Sequence, residues 1–278
     1  MALSIKANAQ WSPFKRYLEL LHILVEQNLK GRYRGSFLGV YWSLLNPLIM
    51  TGLYAAIFGT AFAKFYGDSI LNYVLAAFTG LIVINFFSAS TTQALASIVG
   101  NGALLNKIRL PLTIFPVSMI VANIFQFVMG PLPLLAIVTL LMTKNPLNVL
   151  ALVFPLIALS LVCTGVGFLV SALYVFFRDL PYFYELVCFV LWISSPVFYP
   201  PEIVPQSVQS FLFLNPLSPI IESIRYISGI DTTIAADIPV TIMNIVMIVG
   251  HSFFNGIILL MLGWICFRAW QNQFMDLL

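Results

Sequence analysis

Long apolar runs alternate with short charged segments along this chain. Between Asp68 and Lys144 the only charged residues are Lys107 and Arg109. The apolar stretch on each side of this pair exceeds the ~20 residues that an α-helix needs to cross a bilayer. Because a charge at the membrane centre costs roughly 2.5–3.5 kcal/mol on insertion scales, the basic pair must lie outside the hydrocarbon and join two spans.

The same pattern predicts an all-α integral membrane protein with six transmembrane helices between residues 36 and 267. Pro47 predicts a kink in the first span, and Pro116, Pro131 and Pro133 argue against one straight helix in the third. The six predicted spans cover residues 36–63, 71–96, 112–142, 147–177, 181–199 and 240–267.

Residues 15–34 form a different kind of helix, in which polar and apolar positions take opposite faces. The polar stripe is Lys15, Glu19, His22, Glu26 and Lys30. This helix is too charged to span, so the pattern predicts an interfacial helix lying on the membrane. A solvated helix covering another domain is the alternative. A basic turn follows, with Lys30, Arg32 and Arg34.

Residues 200–238 are rich in proline and hold the acids Glu202, Glu222, Asp231 and Asp237. Two short amphipathic pieces fit this stretch, at 204–214 and 219–229, and both are too short to cross a bilayer. They predict a re-entrant outer hairpin between spans 5 and 6.

Composition and the distribution of charge agree with this topology. The chain is 60% hydrophobic and 8% charged, whereas soluble domains carry about 25% charged residues. With the N-terminus in the cytoplasm, ten basic residues fall inside and three outside (Lys64, Lys144 and Arg225). The positive-inside rule therefore supports six spans with both termini cytoplasmic, and we treat residues 1–278 as one transmembrane domain.

The basic segment at 101–111 predicts a docking site for a cytosolic protein. Small and polar residues come first, then two leucines, then the basic pair, then Pro111. This order predicts a short helix across the ends of two spans, stopped at the proline. Its candidate contact residues are Asn101, Leu104, Leu105, Lys107 and Arg109.

Little in the sequence points to catalysis or to a metal. No lysine lies in a GxxxxGK[ST] phosphate loop, so we expect no ATP site of that kind in this chain. His22 and His251 lack metal-ligand neighbours, and the three cysteines lie in apolar runs. Glu185 is the one acid inside a predicted span, and both a transport role and a place near the inner interface stay open for it. We therefore predict no catalytic residue, no metal and no bound cofactor.

Aromatic residues concentrate in the fifth predicted span and just beyond it. Their rings stack on apolar faces of ligands such as sugars, and Tyr and Trp add hydrogen bonds. Ordinary packing is the alternative for each one. The candidates for lining a transport pathway are Tyr182, Tyr184, Trp192, Phe198 and Tyr199.

Several short motifs, taken together and in this order, resemble those of the polysaccharide-exporting ABC permeases. These type-2 ABC exporter membrane subunits export O-antigen, capsule and teichoic-acid chains. Residues 32–47 resemble the start of those permeases, and residues 104–111 resemble their first coupling helix. Residues 178–180, 195–199 and 215–219 resemble their fifth span and outer hairpin.

The resemblance implies a homodimer in the bacterial cytoplasmic (inner) membrane, paired with two copies of a separate P-loop ATPase that binds ATP and Mg. A polysaccharide linked to a polyprenyl diphosphate, O-antigen-like, would move outward through a channel at the dimer interface. Lys30, Arg32 and Arg34 would form its cytosolic entrance and attract the diphosphate. The permease itself would be no enzyme and would bind no nucleic acid.

Three other classes stay open at this point. One is an ABC exporter permease for another lipid or a drug, which only the family motifs separate from the first. Another is an integral-membrane glycan or lipid transferase, which would need clustered acids or a metal site. The last is a secondary transporter, which would need inverted repeats and several buried charges.

Overall fold

The computed structural model describes residues 13–105, 110–199, 203–205, 207, 215–230 and 242–274. Every regular element within these ranges is a helix, which confirms the predicted all-α class. In chain order the α-helices are α1 (Pro13–Tyr33), α2 (Trp42–Phe62), α3 (Ile70–Gly100), α4 (Gly102–Leu105), α5 (Ile114–Met129), α6 (Pro131–Thr143), α7 (Pro146–Ala151), α8 (Val153–Phe176), α9 (Leu180–Ser194), α10 (Ser218–Ile227) and α11 (Ile242–Trp270).

Four helical segments of the described chain are long and apolar enough to cross a membrane. They are Gly39–Tyr66, Ile70–Gly100, Pro146–Phe176 and Val249–Gln273. A fifth span results if α5 and α6, which bend by 45° at Gly130, are counted as one. This bend confirms that the proline-rich third run is not one straight helix. The predicted fifth run appears as α9, whose 15 residues fall short of the ~20 that a span needs, so six spans are not established.

The N-terminal amphipathic helix is present as α1, with bounds close to the predicted ones. Its apolar face, with Tyr17, Leu20, Leu21 and Leu24, packs against a cluster of buried side chains where several helices end. Helix α1 also runs beside α5. Burial of this face against the protein explains why a helix with a charged stripe is stable here. Its predicted interfacial position stays a prediction.

Helix α3 is the central element of the chain. It contacts α2, α5, α8, α9 and α10, and most of its side chains are buried. Its residues Phe78 to Phe87 contribute heavily to the main hydrophobic core. The polar side chains that α3 carries are therefore surrounded by other helices, which matters for the site described below.

Glycines bring α8 and α11 into backbone contact, and these two helices form the most extensive helix pair. A Cβ atom added at Gly165 would overlap the backbone of Leu259 and Leu260, and one added at Gly263 would overlap the carbonyl oxygen of Gly165. Small residues allow such close approach between helices in membrane proteins. The pair is thus fixed by two glycines that lie on facing helices.

The second amphipathic piece of the predicted hairpin is α10, and it lies in the core rather than on the surface. Leu217, Ile220, Ile221 and Ile224 belong to the main hydrophobic cluster. Its hydroxyls also pair across helices, Ser223 with Ser252 at 3.1 Å and Ser228 with Thr139 at 2.9 Å. Most of the first piece, 204–214, lies outside the described residues, so the hairpin itself is not confirmed.

Candidate functional site

Arg32 lies in a cluster of carboxamide side chains, which we call the amide cluster (Arg32, Gln93, Asn123 and Gln126). Its Nη1 donates to Oδ1 of Asn123 at 3.0 Å and to Oε1 of Gln126. Its Nη2 donates to Oε1 of Gln93. The Nδ2 of Asn123 then donates to the same oxygen of Gln93 at 2.9 Å. Three of the five N–H donors of the guanidinium are therefore taken by neutral oxygens.

Three helices position this cluster. Arg32 comes from the last turn of α1, Gln93 from α3, and Asn123 and Gln126 from α5, where a spacing of three places them on one face. One turn before Arg32, Asn28 donates to Ser118 at 3.3 Å. Both contacts run along the same pair of helices. They tie the end of α1 to α5, and through Gln93 to α3.

A cavity of about 480 Å³ opens beside the amide cluster. Helices α2, α3 and α5 line it, with Pro131 at the start of α6. Its polar lining residues include Asn46 of α2, four side chains of α3 and Gln126 of α5. Spacings of three and four place Asn85, Ser88 and Thr92 on one face of α3. No side chain that lines the cavity is charged, as far as the described residues go.

The other two basic residues of the predicted entrance are not part of the amide cluster. Lys30 is exposed and pairs with Glu26 at 2.5 Å, one helical turn away. This hydrogen bond lowers the pKa of the Glu26 carboxyl. Arg34 is exposed and follows α1. The structure therefore separates the predicted trio into one half-buried guanidinium and two exposed cations.

The predicted docking segment begins with α4, and its leucines connect it to the rest of the chain. Leu105 is 3% exposed and belongs to a cluster where α1, α3, α5, α8 and α11 end. Leu104 packs against the same cluster, and the amide of Asn101 donates to the carbonyl of Ser97 at 2.7 Å. Lys107 and Arg109 lie outside the described residues.

The five candidate aromatics fall into four different surroundings. Tyr182 is 75% exposed, whereas Tyr184 is buried and packs with Leu95 and Val170. Trp192 and Phe198 contact each other edge to face with centroids 5.7 Å apart, and Phe198 stacks on Tyr54 of α2 at 3.6 Å. The Tyr199 hydroxyl donates to the carbonyl of Ile193. Of the five, the structure brings Trp192 and Phe198 together.

Arg225, counted in the sequence among the three basic residues on the outer side, is 3% exposed inside the chain. Its Nη2 donates to the carbonyl of Ala76 at 2.7 Å and to that of Pro196 at 2.8 Å. Asn215 donates to Ser195 at 2.8 Å and so joins the end of α9 to the start of α10. These contacts of Arg225 and Asn215 link segments that are distant in sequence.

Sequence reasoning missed the amide cluster and the polar side chains of the cavity. Gln93, Asn123 and Gln126 lie inside apolar runs, where uncharged amides leave the hydropathy high. The available signal was their helical spacing together with that of Asn85, Ser88 and Thr92, because polar side chains inside spans face the protein interior or a water-filled cavity. Within the described ranges, no group of three His, Cys, Asp or Glu side chains converges as a metal site would require.

Several membrane-length helices around an uncharged cavity with both polar and apolar lining residues are typical of a membrane transport protein. The profile of the ABC-2 type transporter family matches residues 19–228, so the chain belongs to the ABC-2 type transporter family. This agrees with the resemblance drawn from the motifs, and it makes the chain a transport membrane subunit.

Individual relatives support the same conclusion along most of the chain. An O-antigen export system permease protein RfbA from Klebsiella pneumoniae is 28% identical over 262 residues, which cover 94% of this chain and 95% of the relative. Another protein of that name, from Myxococcus xanthus, is 32% identical over 216 residues, which cover 76% of this chain and 81% of the relative.

Proposed function

We propose that this chain is the permease subunit of an ATP-driven exporter that moves a lipid-linked polysaccharide outward across the bacterial cytoplasmic membrane. The observation that carries the proposal is the alignment of 94% of the chain with an O-antigen export permease. With 94% of the chain aligned, the amide cluster and the predicted docking segment lie within the shared length.

The end of α1 suits the approach of a charged lipid. Lys30 and Arg34 are exposed cations, and the Lys30–Glu26 pair is weak because solvent screens it. A diphosphate accepts stronger hydrogen bonds from Lys and Arg than neutral oxygens do. We assign Lys30 and Arg34 to the first contact with the polyprenyl diphosphate. Arg32 lies between them and would hold this end of α1 in position through the amide cluster.

Energy would enter through the segment that starts with α4. A separate ATPase, in two copies, would grip residues 101–109, with Lys107 and Arg109 as its charged contacts. Movement of this segment would be transmitted to the rest of the chain, because Leu105 is buried in the same cluster that receives the apolar face of α1. A shift of α4 would therefore move α1 and the ends of the spans together.

A second copy of the chain would complete the channel. Helix α2 exposes Ile49, Leu53 and Ile57, and α9 exposes Leu186 and Val190, each by half or more of its surface. Such faces contact lipid or another apolar surface. The aromatic contact of Tyr54 with Phe198 joins α2 to the segment that follows α9. We propose that α2 and α9 of two copies face the translocation path.

Deletion of the gene in its native host, followed by labelling of the cell-surface glycan, tests the proposed function. We expect surface glycan to be lost and the lipid-linked polymer to accumulate in the cell, with recovery on re-expression of the chain. A surface glycan that stays intact would overturn the substrate assignment.

Purification of the tagged chain from the same host in mild detergent tests the energy source. Mass spectrometry of the purified material should find a P-loop ATPase in equal amounts. Reproducible purification without any ATPase would reject an ATP-driven mechanism and reopen the secondary-transporter class.

A further inference from the structure

The cavity beside the amide cluster contains more hydrogen-bonding capacity than the chain itself uses. Asn46 on α2 and Asn85 on α3 line it from different helices, and neither side chain has a hydrogen-bond partner among the described residues. The oxygens of Gln93 and Gln126 accept from Arg32. Their amide nitrogens therefore stay available as donors toward the cavity.

Unpaired amides on membrane-length helices require a partner. A polar group removed from water without a hydrogen bond is costly in proteins, and polar residues inside spans are expensive and often functional. Water can satisfy these groups when the cavity is empty, and a ligand that replaces the water must offer donors and acceptors in comparable number.

The lining selects one chemical class of ligand. A phosphate needs cationic donors, and Arg32 directs its bonds to amide oxygens instead. A divalent cation prefers carboxylates, and the described lining has none. Apolar side chains such as Ile82, Phe86 and Phe127 form much of the lining, but an acyl chain would leave the carboxamides of the lining without partners. A neutral polyhydroxyl compound matches it, because each hydroxyl both donates and accepts, as each carboxamide does.

An aromatic side chain completes the match to a sugar ring. Trp42, 51% exposed, begins α2 and lines the same cavity. The negative face of an indole attracts the positively polarised C–H groups on one face of a pyranose. At about 480 Å³ the cavity lies in the usual range of about 300–1,000 Å³ for small-ligand pockets.

We infer that this cavity is a binding site for neutral sugar rings, formed by Asn46, Asn85, Gln93 and Gln126 with Trp42 as the stacking face. The inference rests on the proposed function and divides the lipid-linked substrate into two parts. The diphosphate meets the exposed cations at the end of α1, and the adjoining sugars enter the uncharged cavity between α2, α3 and α5.

A binding titration tests the assignment with the full-length chain and its ATPase in lipid nanodiscs. The probes are the glycan released by mild acid from the host's lipid-linked polymer, and inorganic pyrophosphate. The signal is the fluorescence of Trp42, obtained as the difference between the wild type and the Trp42→Phe variant. We expect the glycan to change this signal and pyrophosphate to leave it unchanged.

Two variants provide the contrast. Asn46→Leu/Asn85→Leu removes both unpaired amides at nearly constant volume, and we expect the apparent affinity for the glycan to fall about tenfold to a hundredfold. Asn255→Leu, a matched change on α11 outside the cavity, should leave it unchanged. Asn46 is exposed, so Asn46→Leu alone serves if the double variant does not fold.

The outcomes distinguish a failure of the cavity assignment from a failure of the proposed function. If deletion of the gene abolishes surface glycan while the released glycan leaves Trp42 unaffected, the cavity assignment alone is wrong. A Trp42 response to pyrophosphate in place of glycan would make the cavity an anion site. A host that keeps its surface glycan after deletion overturns both the proposed function and this inference.

Discussion

The Nη2 group of Arg225 donates to the carbonyl oxygen of Ala76 at 2.7 Å, deep inside the chain. The same guanidinium also bonds the carbonyls of Pro196 and Val197, at 2.8 and 3.3 Å. All its hydrogen-bond acceptors in the described residues are neutral oxygens. The charge therefore serves as a donor group that holds α10, α3 and the end of α9 in one arrangement.

Replacing Arg225 with Leu should destabilise this region. Carbonyls left without donors cost about 1–3 kcal/mol each, so we expect the free energy of unfolding in an SDS titration to fall by about 2–4 kcal/mol. The free energy of unfolding of Arg225→Lys should lie between those of the wild type and Arg225→Leu, since one ammonium cannot reach all the acceptors. Lys64→Met, at an exposed basic residue, is the control. Equal stability of Arg225→Leu and wild type would contradict the anchoring role.

The glycine contact between α8 and α11 predicts a strong difference between two identical substitutions on one helix. Gly263→Ala places a methyl group against the backbone of Gly165, whereas a Cβ at Gly250 meets nothing within 4 Å. Overpacking typically costs about 1–3 kcal/mol, so Gly263→Ala should lower stability by that amount. Gly250→Ala should be neutral or slightly stabilising, because alanine favours helices. Similar stabilities for the two variants in SDS titration would rule out a close contact.

The amide cluster predicts different roles for two neighbouring arginines. Arg32→Met removes the donors that hold the end of α1 to α5 and α3, so the amides of α1 should exchange with deuterium about tenfold faster or more. Arg34→Met removes an exposed cation and should leave the exchange of α1 unchanged. Hydrogen exchange in nanodiscs, read by mass spectrometry, makes the comparison. Identical exchange in both variants would show that the cluster does not restrain α1.

Charge reversal in the predicted docking segment should uncouple two activities. In the Lys107→Glu/Arg109→Glu variant we expect export to be lost while ATP hydrolysis and the amount of folded chain in the membrane persist. Surface-glycan labelling measures export, and phosphate release from the purified complex measures ATP hydrolysis. The control is Lys64→Glu/Lys144→Glu, with the same change of charge on the predicted outer side. Export at the wild-type level in the Lys107→Glu/Arg109→Glu variant would exclude these two residues as the contact with the ATPase.

Hydropathy and helical periodicity were enough to predict the all-α class, the amphipathic helix and the break in the third run. The amphipathic helix was predicted over residues 15–34 and is observed as Pro13–Tyr33. The proline-rich third run is bent by 45°, at Gly130, because Pro131 favours a helix start at that point. These features depend on the local spacing of residues and on the positions of prolines, and both can be read from the sequence without knowledge of tertiary packing.

Burial of polar groups could not be predicted in the same way. The sequence places Arg225 on the outer side, but it does not show that the carbonyls of Ala76 and Pro196 satisfy the guanidinium inside the core. Gln93 and Asn123 are 30 positions apart, and they meet only because α3 and α5 pack side by side. Such partners are set by tertiary packing, which hydropathy does not encode.

The glycine contact also has a consequence for biosynthesis. Gly165 and Gly263 are about 100 residues apart in the chain, so α8 leaves the ribosome well before its partner exists. At synthesis rates of about 5–20 residues per second, the delay is about 5–20 s. During that time the small-residue face of α8 has no native neighbour. The newly made chain therefore needs either a temporary companion in the membrane or enough freedom for α11 to slide into place late.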